Sequence, residues 1–302
     1  MEQNTKNTLK GSLMLLLTAC IWGSAFVAQR LGMTAMGPFT FNAIRSLIGG
    51  TVLLPLIWWQ SRHRTTLIDK KELFKGGITC GLLLGIASTL QQIGLVTTSA
   101  GKAGFITAFY IVLVPILGIF LGRRASLRVW GCVGVALYGL YLLCMKEASF
   151  RLEAGDTMVL LCTLFFAMQI LAIDHYVQKV DGTLLACVQF FTAGALCLPF
   201  MLIVEQPTAE IWQGWMALLY CGVFSSGVAY TLQIIGQKYV PPTPASLLMS
   251  MESVFAVLSG WLFLHEMMSS RELLGCLLVL LACLIAQLPD KVKETKISAK
   301  SY

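Results

Sequence analysis

The sequence predicts an all-α integral membrane protein of ten transmembrane helices, arranged as two inverted five-helix repeats. Three observations predict it. Of the 302 residues, 57% are hydrophobic and 12% charged, about half the charge of an ordinary soluble domain. The apolar residues fall in runs of about 17–23, each long enough to cross roughly 30 Å of hydrocarbon as a helix. Finally, the phrase Thr89-Leu90-Gln91-Gln92-Ile93-Gly94 returns 142 residues later as Thr231-Leu232-Gln233-Ile234-Ile235-Gly236, with five of six positions matched.

Helices follow because backbone donors and acceptors in lipid must be satisfied internally. Spanning strands would need only about 10 residues each and would alternate apolar with polar side chains, which these runs do not. The predicted spans are 12–31, 39–59, 76–98, 103–122, 129–145, 156–175, 183–204, 214–236, 244–264 and 273–288. No connection is long enough for a separate soluble domain. The first run, after Lys6 and Lys10, has the outline of a signal peptide, and Leu17-Thr18-Ala19-Cys20 resembles a lipoprotein cleavage site. Apolar residues continue past it through Trp22, Phe26 and Val27, so the run reads as a retained helix. The ten cysteines lie in or at the ends of spans, without a CxxC pair or histidines at ligand spacing. They read as small packing residues, with no disulfide framework, metal site or cofactor.

Charge placement sets the expected orientation. With the N-terminus in the cytoplasm, sixteen lysines and arginines lie on the inner side; Lys102, Lys146, Arg151 and Arg271 lie outside. Both termini are therefore expected to be cytoplasmic on a multi-pass cell-membrane protein. The +7 net charge is then topological and carries no implication of nucleic acid; contact with anionic lipid is expected at the inner face.

The duplication extends beyond the opening phrase. Trp22 corresponds to Phe166 and Pro55 to Pro199, 144 residues apart, and Gly118 to Gly260, 142 apart. The chain divides into a first half at 1–145, a second at 156–288 and a polar cytoplasmic tail at 289–302. Five helices per half is an odd number, so the second half enters the membrane from the opposite side. Such inverted repeats supply two related conformations, one open to each side, as alternating-access transporters require. A membrane-embedded enzyme would need a convergent nucleophile, base or metal set, and the sequence shows none. No P-loop is present, so ATP-driven transport by this chain alone is not expected. The sequence carries no signal for an oligomeric state.

Three stretches resemble the EamA-type permeases of the drug/metabolite transporter superfamily. They are Ile21-Trp22-Gly23-Ser24-Ala25-Phe26-Val27, Ser99 to Thr107 through Pro115 and Gly122, and Met251-Glu252-Ser253-Val254-Phe255-Ala256 through Glu266. The resemblance covers nearly the whole chain. It implies ten helices, a central cavity between the halves, walled by helices 1, 3, 4, 6, 8 and 9, and secondary transport of small metabolites. Efflux of amino acids or their derivatives is the leading expectation, with a broad drug or organic-cation effluxer second and a passive channel third. Two departures stand out. Arg123-Arg124 replaces the family's Gly-Glu after the fourth helix, and Ser253 stands where a proline often follows the ninth-helix glutamate. Pro115 is therefore expected to bend helix 4 while helix 9 loses its proline kink, so the halves need not bend alike.

Glu252, near the middle of the ninth span, is the residue of greatest interest, because a carboxylate there is costly and usually functional. It is a candidate for carrying a coupling proton or for binding the ammonium of a solute; its repeat partner is Tyr110. Gln91 and Gln233 are equivalent amides able to hydrogen-bond a zwitterion or a neighbouring helix, and Gln92 adds another. Trp22, Gln169 and Tyr230 complete the candidate substrate-binding set, with Phe26 and Met251 as further apolar wall. Arg45 is the natural partner of Glu252, although snorkelling or a structural role is favoured for it. Asp174 with His175, and His265 with Glu266, read as solvated helix ends. Gly49-Gly50, Gly81 with Gly85, and Gly131 with Gly134 are spaced for close helix contacts.

Overall fold

Three of the α-helices start on a side-chain cap, at Asp69, Asp181 and Ser269. The computed structural model describes residues 2–62, 69–98, 100–123, 125–145, 154–264 and 269–288. The tail at 289–302, His265, Glu266, and the cations Arg64, Arg124, Lys146 and Arg151 lie outside them. Among the described residues all regular structure is helical. Helix α1 spans Glu2–Gly32, and α2, Pro38–Ser61, begins on a proline, whose missing N–H costs nothing at a first turn. The carboxylate of Glu205, far along the chain, accepts from the N–H groups of Phe39 (2.9 Å) and Thr40 (2.7 Å) at that end. Helix α3 spans Lys70–Leu95, capped by Asp69, and α4 spans Ala100–Thr107. Helix α5, Tyr110–Phe120, stops at Gly122, whose φ of 76° lets Arg123 N–H return to the Gly118 carbonyl.

Helices α6 (Leu127–Cys144), α7 (Ala154–Tyr176) and α8 (Gly182–Phe200) follow, the last capped by Asp181. From Ala209 to Gln237 the chain is one composite rod. A 3-10 turn leads into α9 (Trp215–Leu219), an eleven-residue π segment at Tyr220–Tyr230 and α10 (Thr231–Gln237). Helix α11 (Pro242–Met249), α12 (Glu252–Leu264) and α13 (Ser270–Ala286) complete the order, α13 opening on a capping box of Ser269 and Glu272.

Among the described residues, seven stretches are long and apolar enough to cross a membrane, and Leu127–Leu143 is a shorter apolar helix. Large apolar side chains also cover the outside, among them Leu31, Trp58, Phe120, Ile203, Leu277 and Leu284. In water such a surface would aggregate; against lipid it is the stable choice.

The interior is built mainly from contacts between the two sequence halves. Helix α1 packs on α12, α10 and the π segment; α3 packs on α7 and α8; α2 packs on α8, and α6 on α13. Each of these contacts recurs with the halves exchanged: α1 on α10 is matched by α7 on α3, and α1 on α12 by α7 on α5. Glycine permits the closest approaches. A Cβ on Gly11 would lie 2.9 Å from the Gly236 carbonyl oxygen, and one on Gly155 would lie 2.8 Å from that of Gly94. Gly49, Gly81 and Gly85 sit at similarly tight crossings, whereas nothing lies within 4 Å of a Cβ on Gly131 or Gly134. The contact expected of that last pair is made one or two turns later, by Gly139 against Gly275.

The expected bends fall elsewhere. The predicted span 103–122 is interrupted between α4 and α5 at Ala108 and Phe109, upstream of Pro115, which lies inside α5. The predicted span 244–264 is interrupted too, at Ser250 and Met251, without a proline at 253. The two interruptions share one hydrogen-bond pattern. Ala108 N–H donates to Gly104, Phe109 to Ile106, Ile111 to Ala108 and Leu113 to Phe109. Ser250 donates to Ser246, Met251 to Leu248, Ser253 to Ser250 and Phe255 to Met251. Every donor and acceptor in the second set is 142 residues beyond its counterpart. The halves therefore bend alike here, against expectation. Proline is not the shared cause, because the position equivalent to Pro115 is Val257, and the prolines near the second interruption stand in the first turn of α11. In the second half Ser250 Oγ donates to the Leu247 carbonyl at 2.7 Å, a local bond that competes with the helix ladder.

Candidate functional site

Both interruptions open onto one central cavity. Helix α1 presents Trp22, Phe26 and Gln29 to it, spaced four and three residues apart on a single face. Phe166, Gln169 and Ile170 do the same from α7, and Tyr230 and Gln233 from the rod that ends in α10. Arg45 of α2, Gln91 of α3, Thr107 of α4, Tyr110 of α5, Ser225, Met249 of α11 and Glu252 of α12 complete the wall. All seven residues singled out from sequence, Trp22, Gln91, Tyr110, Gln169, Tyr230, Gln233 and Glu252, border this one cavity.

The apolar side is aromatic. The rings of Trp22 and Tyr230 lie 4.5 Å apart at 55°, and Tyr230 meets Phe190 edge-on at 5.6 Å. Trp22 Nε1 donates to the Ser225 carbonyl at 3.4 Å, within the π segment. A wide π turn leaves carbonyls imperfectly served by their own helix, and α1 uses a second one, Thr18 Oγ1 donating to the Ala229 carbonyl at 2.9 Å.

The polar side is a chain of amides. Gln233 Nε2 donates to Gln169 Oε1 at 3.5 Å, and Gln169 Nε2 donates to Gln189 Oε1 at 3.2 Å. Gln91 Nε2 donates to Thr107 Oγ1 at 3.2 Å. Gln233 Oε1 accepts from no protein group. Glu252 and Tyr110, 142 residues apart, are the first residues of α12 and α5, and they touch: Tyr110 Oη donates to Glu252 Oε1 at 3.3 Å. Glu252 is 5% exposed.

Arg45 sits inside the protein, in contacts compatible with the structural role favoured for it. It neither snorkels nor pairs with Glu252; it is 5% exposed, donates from Nη1 to Gln29 Oε1 at 3.4 Å and lies 5.5 Å from the centre of the Phe41 ring. Other candidates lie off the cavity wall. Gln92 is fully buried with both amide atoms unpartnered, and Met251 is buried at the interruption. Asp174 forms an ion pair with Arg123, and His175 contacts Lys179 at 3.0 Å. Gln29, Thr107, Ser225, Phe166, Ile170 and Met249 are wall residues not selected from sequence. Gln29 was legible as a second amide on the face of Trp22, and Phe166 as its repeat partner. The cavity volume is about 40 Å³, room for a few waters at about 10–15 Å³ apiece.

Comparison with known proteins identifies the family. The model of the EamA-like transporter family matches twice, over residues 9–145 and 153–287. A protein of Archaeoglobus fulgidus named as an uncharacterized transporter is 32% identical, covering 93% of this chain and 86% of its own. The uncharacterized transporter YoaV of Bacillus subtilis is 24% identical over 90% of this chain and 94% of its own. Protein PecM of Dickeya dadantii is 23% identical, with 89% of both chains covered. One protein of known crystal structure superposes with a TM-score of 0.76 over 91% of this chain and 96% of that one; at 18% identity it speaks for the fold alone. With two copies of the family model together spanning nearly its whole length, this chain is a multi-pass membrane protein and belongs to the EamA-like transporter family.

Proposed function

We propose that the protein is a secondary transporter of small polar or amphipathic metabolites, working by alternating access between two inverted five-helix halves. The ten crossings are α1, α2, α3, α4 with α5, α6, α7, α8, the rod Ala209–Gln237, α11 with α12, and α13. One observation carries the reading: the two interruptions, which share four hydrogen bonds at the 142-residue offset, bring Tyr110 and Glu252 into contact at the cavity. A broken helix pair at the centre of two related halves supplies hinges and a binding site at the same place. Metabolite pockets run to about 300 Å³ or more, so a cavity of about 40 Å³ corresponds to a contracted state that must open to admit a solute. Glu252 is the candidate coupling carboxylate, with protons as the coupling ion. Amino acids or their derivatives, moved outward, are the leading cargo.

Flux measured in proteoliposomes with an imposed proton gradient tests this. Uphill movement of radiolabelled amino acids that collapses on adding a protonophore is the expected result. Movement of ethidium alone would favour an organic-cation effluxer, and non-saturable downhill flux would favour a channel.

Both termini are expected to face the cytoplasm. On a cysteine-free background, a cysteine placed at the exposed Lys71 should react with an impermeant maleimide in inside-out vesicles and stay silent in intact cells. Labelling from outside the cell would reverse the orientation.

A further inference from the structure

The cavity holds a guanidinium and a carboxyl group that do not meet. Arg45 and Glu252 border the same space, each is 5% exposed, and no ion pair joins them. Glu252 is engaged only by Tyr110, through one carboxylate oxygen. Arg45 uses a single N–H, toward the neutral amide of Gln29. A guanidinium has five donors in a fixed planar fork and stays protonated at any physiological pH, so most of its hydrogen-bonding capacity points at no protein acceptor. Glu205, whose carboxylate meets the start of Arg45's helix, is occupied by the N–H groups of Phe39 and Thr40, and among the described residues no ion pair joins it to Arg45. The stacked Phe41 ring supplies an attraction but no acceptor. A buried charge without a counter-charge costs several kcal/mol as an order of magnitude, and proteins retain such groups where a ligand completes them.

The acceptors left free in the cavity are of the complementary kind. Gln233 Oε1 is unpartnered although Gln233 is 1% exposed, and Glu252 has a second oxygen to offer. We propose that Arg45 holds a carboxylate of the transported solute while Glu252 and Gln233 Oε1 receive its ammonium or other donor group. The cavity thereby selects carboxylate-bearing zwitterions and discriminates against organic cations. This rests on the transport reading and deepens it by naming the group that recognises the anionic end. A cation-only cargo would be repelled by Arg45 and would leave its fork unfilled. A carboxylate matches the fork in bidentate geometry.

Binding to the full-length protein in detergent, followed by displacement of intrinsic tryptophan fluorescence changes, tests the proposal without any need for flux. The probes are the twenty L-amino acids, each beside its own carboxamide, which keeps the ammonium and side chain and removes the carboxylate. At least one acid should bind about tenfold or more tightly than its amide, as a charge-assisted hydrogen bond implies. In Arg45→Gln that preference should fall to within about twofold, and Arg45→Lys should retain an intermediate preference because charge survives without the fork. The preference is a ratio, so it is unaffected by how much of a variant is folded. The acid–amide comparison on the unaltered protein stands even if both variants fail to fold. The proposal is overturned if no acid outbinds its amide, including the case in which nothing in the panel binds. It is equally overturned if Arg45→Gln keeps the full preference and only melts earlier, since Arg45 would then be structural. Acid-selective binding without any flux would remove the transport reading and leave the charge arrangement. Gradient-driven flux of cations that is indifferent to Arg45 would do the reverse.

Discussion

Replacing Glu252 with glutamine is expected to lower gradient-driven flux by about 100-fold or more while leaving the fold intact. The amide has nearly the same size, and its Oε1 can still accept from Tyr110 Oη, the one protein hydrogen bond Glu252 makes. Packing around the α11–α12 interruption is thereby preserved, and the melting temperature should stay within a few degrees, as for the loss of at most one neutral hydrogen bond of about 1 kcal/mol. What is removed is the ability to gain and lose a proton, and with it the negative charge the side chain can offer a solute's ammonium. In a coupled carrier that proton links the uphill movement of solute to the gradient, so active flux stops. Exchange of labelled for unlabelled solute across the membrane needs no net proton movement and should persist at saturating solute, with a raised half-saturation concentration because the ammonium loses its charged partner. Two companion measurements separate the alternatives. If Glu252 serves chiefly to hold the solute's ammonium, exchange falls together with active flux. If it only anchors helices, transport tracks the amount of folded protein, and Tyr110→Phe should melt as early as the Glu252 variant. A purified Glu252→Gln protein with normal stability, full proton-driven transport and an unchanged pH profile would take this residue out of the mechanism.

The contents of the cavity were more legible in the sequence than its geometry. Polar residues inside apolar runs announce themselves, because each costs free energy in lipid unless something uses it. Gln91, Gln169, Gln233 and Glu252 were found that way and border one space. Repeat equivalence gave Tyr110 its place opposite Glu252. Arg45 was visible by the same logic, yet its long side chain admitted snorkelling, and only burial and the absence of an acidic partner separate the two outcomes. Proline does not mark the helix interruptions. The shared bend follows position in the repeat, at Ala108–Phe109 and Ser250–Met251, with no common residue type to reveal it. Gly131 and Gly134 had the right spacing for a crossing but faced open space; spacing identifies a helix face without saying what lies against it.

Adding a single methyl group at the glycine crossings should cost more than any helix-propensity gain can offset. A Cβ on Gly94 would stand 2.7 Å from the Gly155 carbonyl oxygen and 2.5 Å from Val159 Cγ2. A Cβ on Gly236 would stand 3.0 Å from the Gly11 carbonyl oxygen. Gly94 meets Gly155 across α3 and α7, and Gly236 meets Gly11 across α10 and α1, so the two crossings are repeat-related and both join the halves. In lipid there is no water to drive helices together, and close backbone approach is itself the source of attraction. Forcing the rods apart forfeits that attraction along several turns. Gly94→Ala and Gly155→Ala are therefore expected to destabilise by about 1–3 kcal/mol, the usual range for overpacking. Gly11→Ala and Gly236→Ala should cost somewhat less, because their closest backbone contacts are looser by a few tenths of an ångström. Gly131→Ala and Gly134→Ala serve as controls, since nothing lies within 4 Å of the added atom. Alanine's better helix propensity should make those two neutral or stabilising by up to about 1 kcal/mol. Thermal unfolding of the purified variants in detergent reads the difference directly. If Gly94→Ala melts at or above the parent temperature, as Gly131→Ala should, the crossing is not tight and the close packing of the two halves at α3 and α7 is wrong. If Gly94→Ala melts early while Gly11→Ala and Gly236→Ala have no effect, the two crossings are not energetically equivalent, and the symmetry of the repeat does not extend to the forces that hold its halves together.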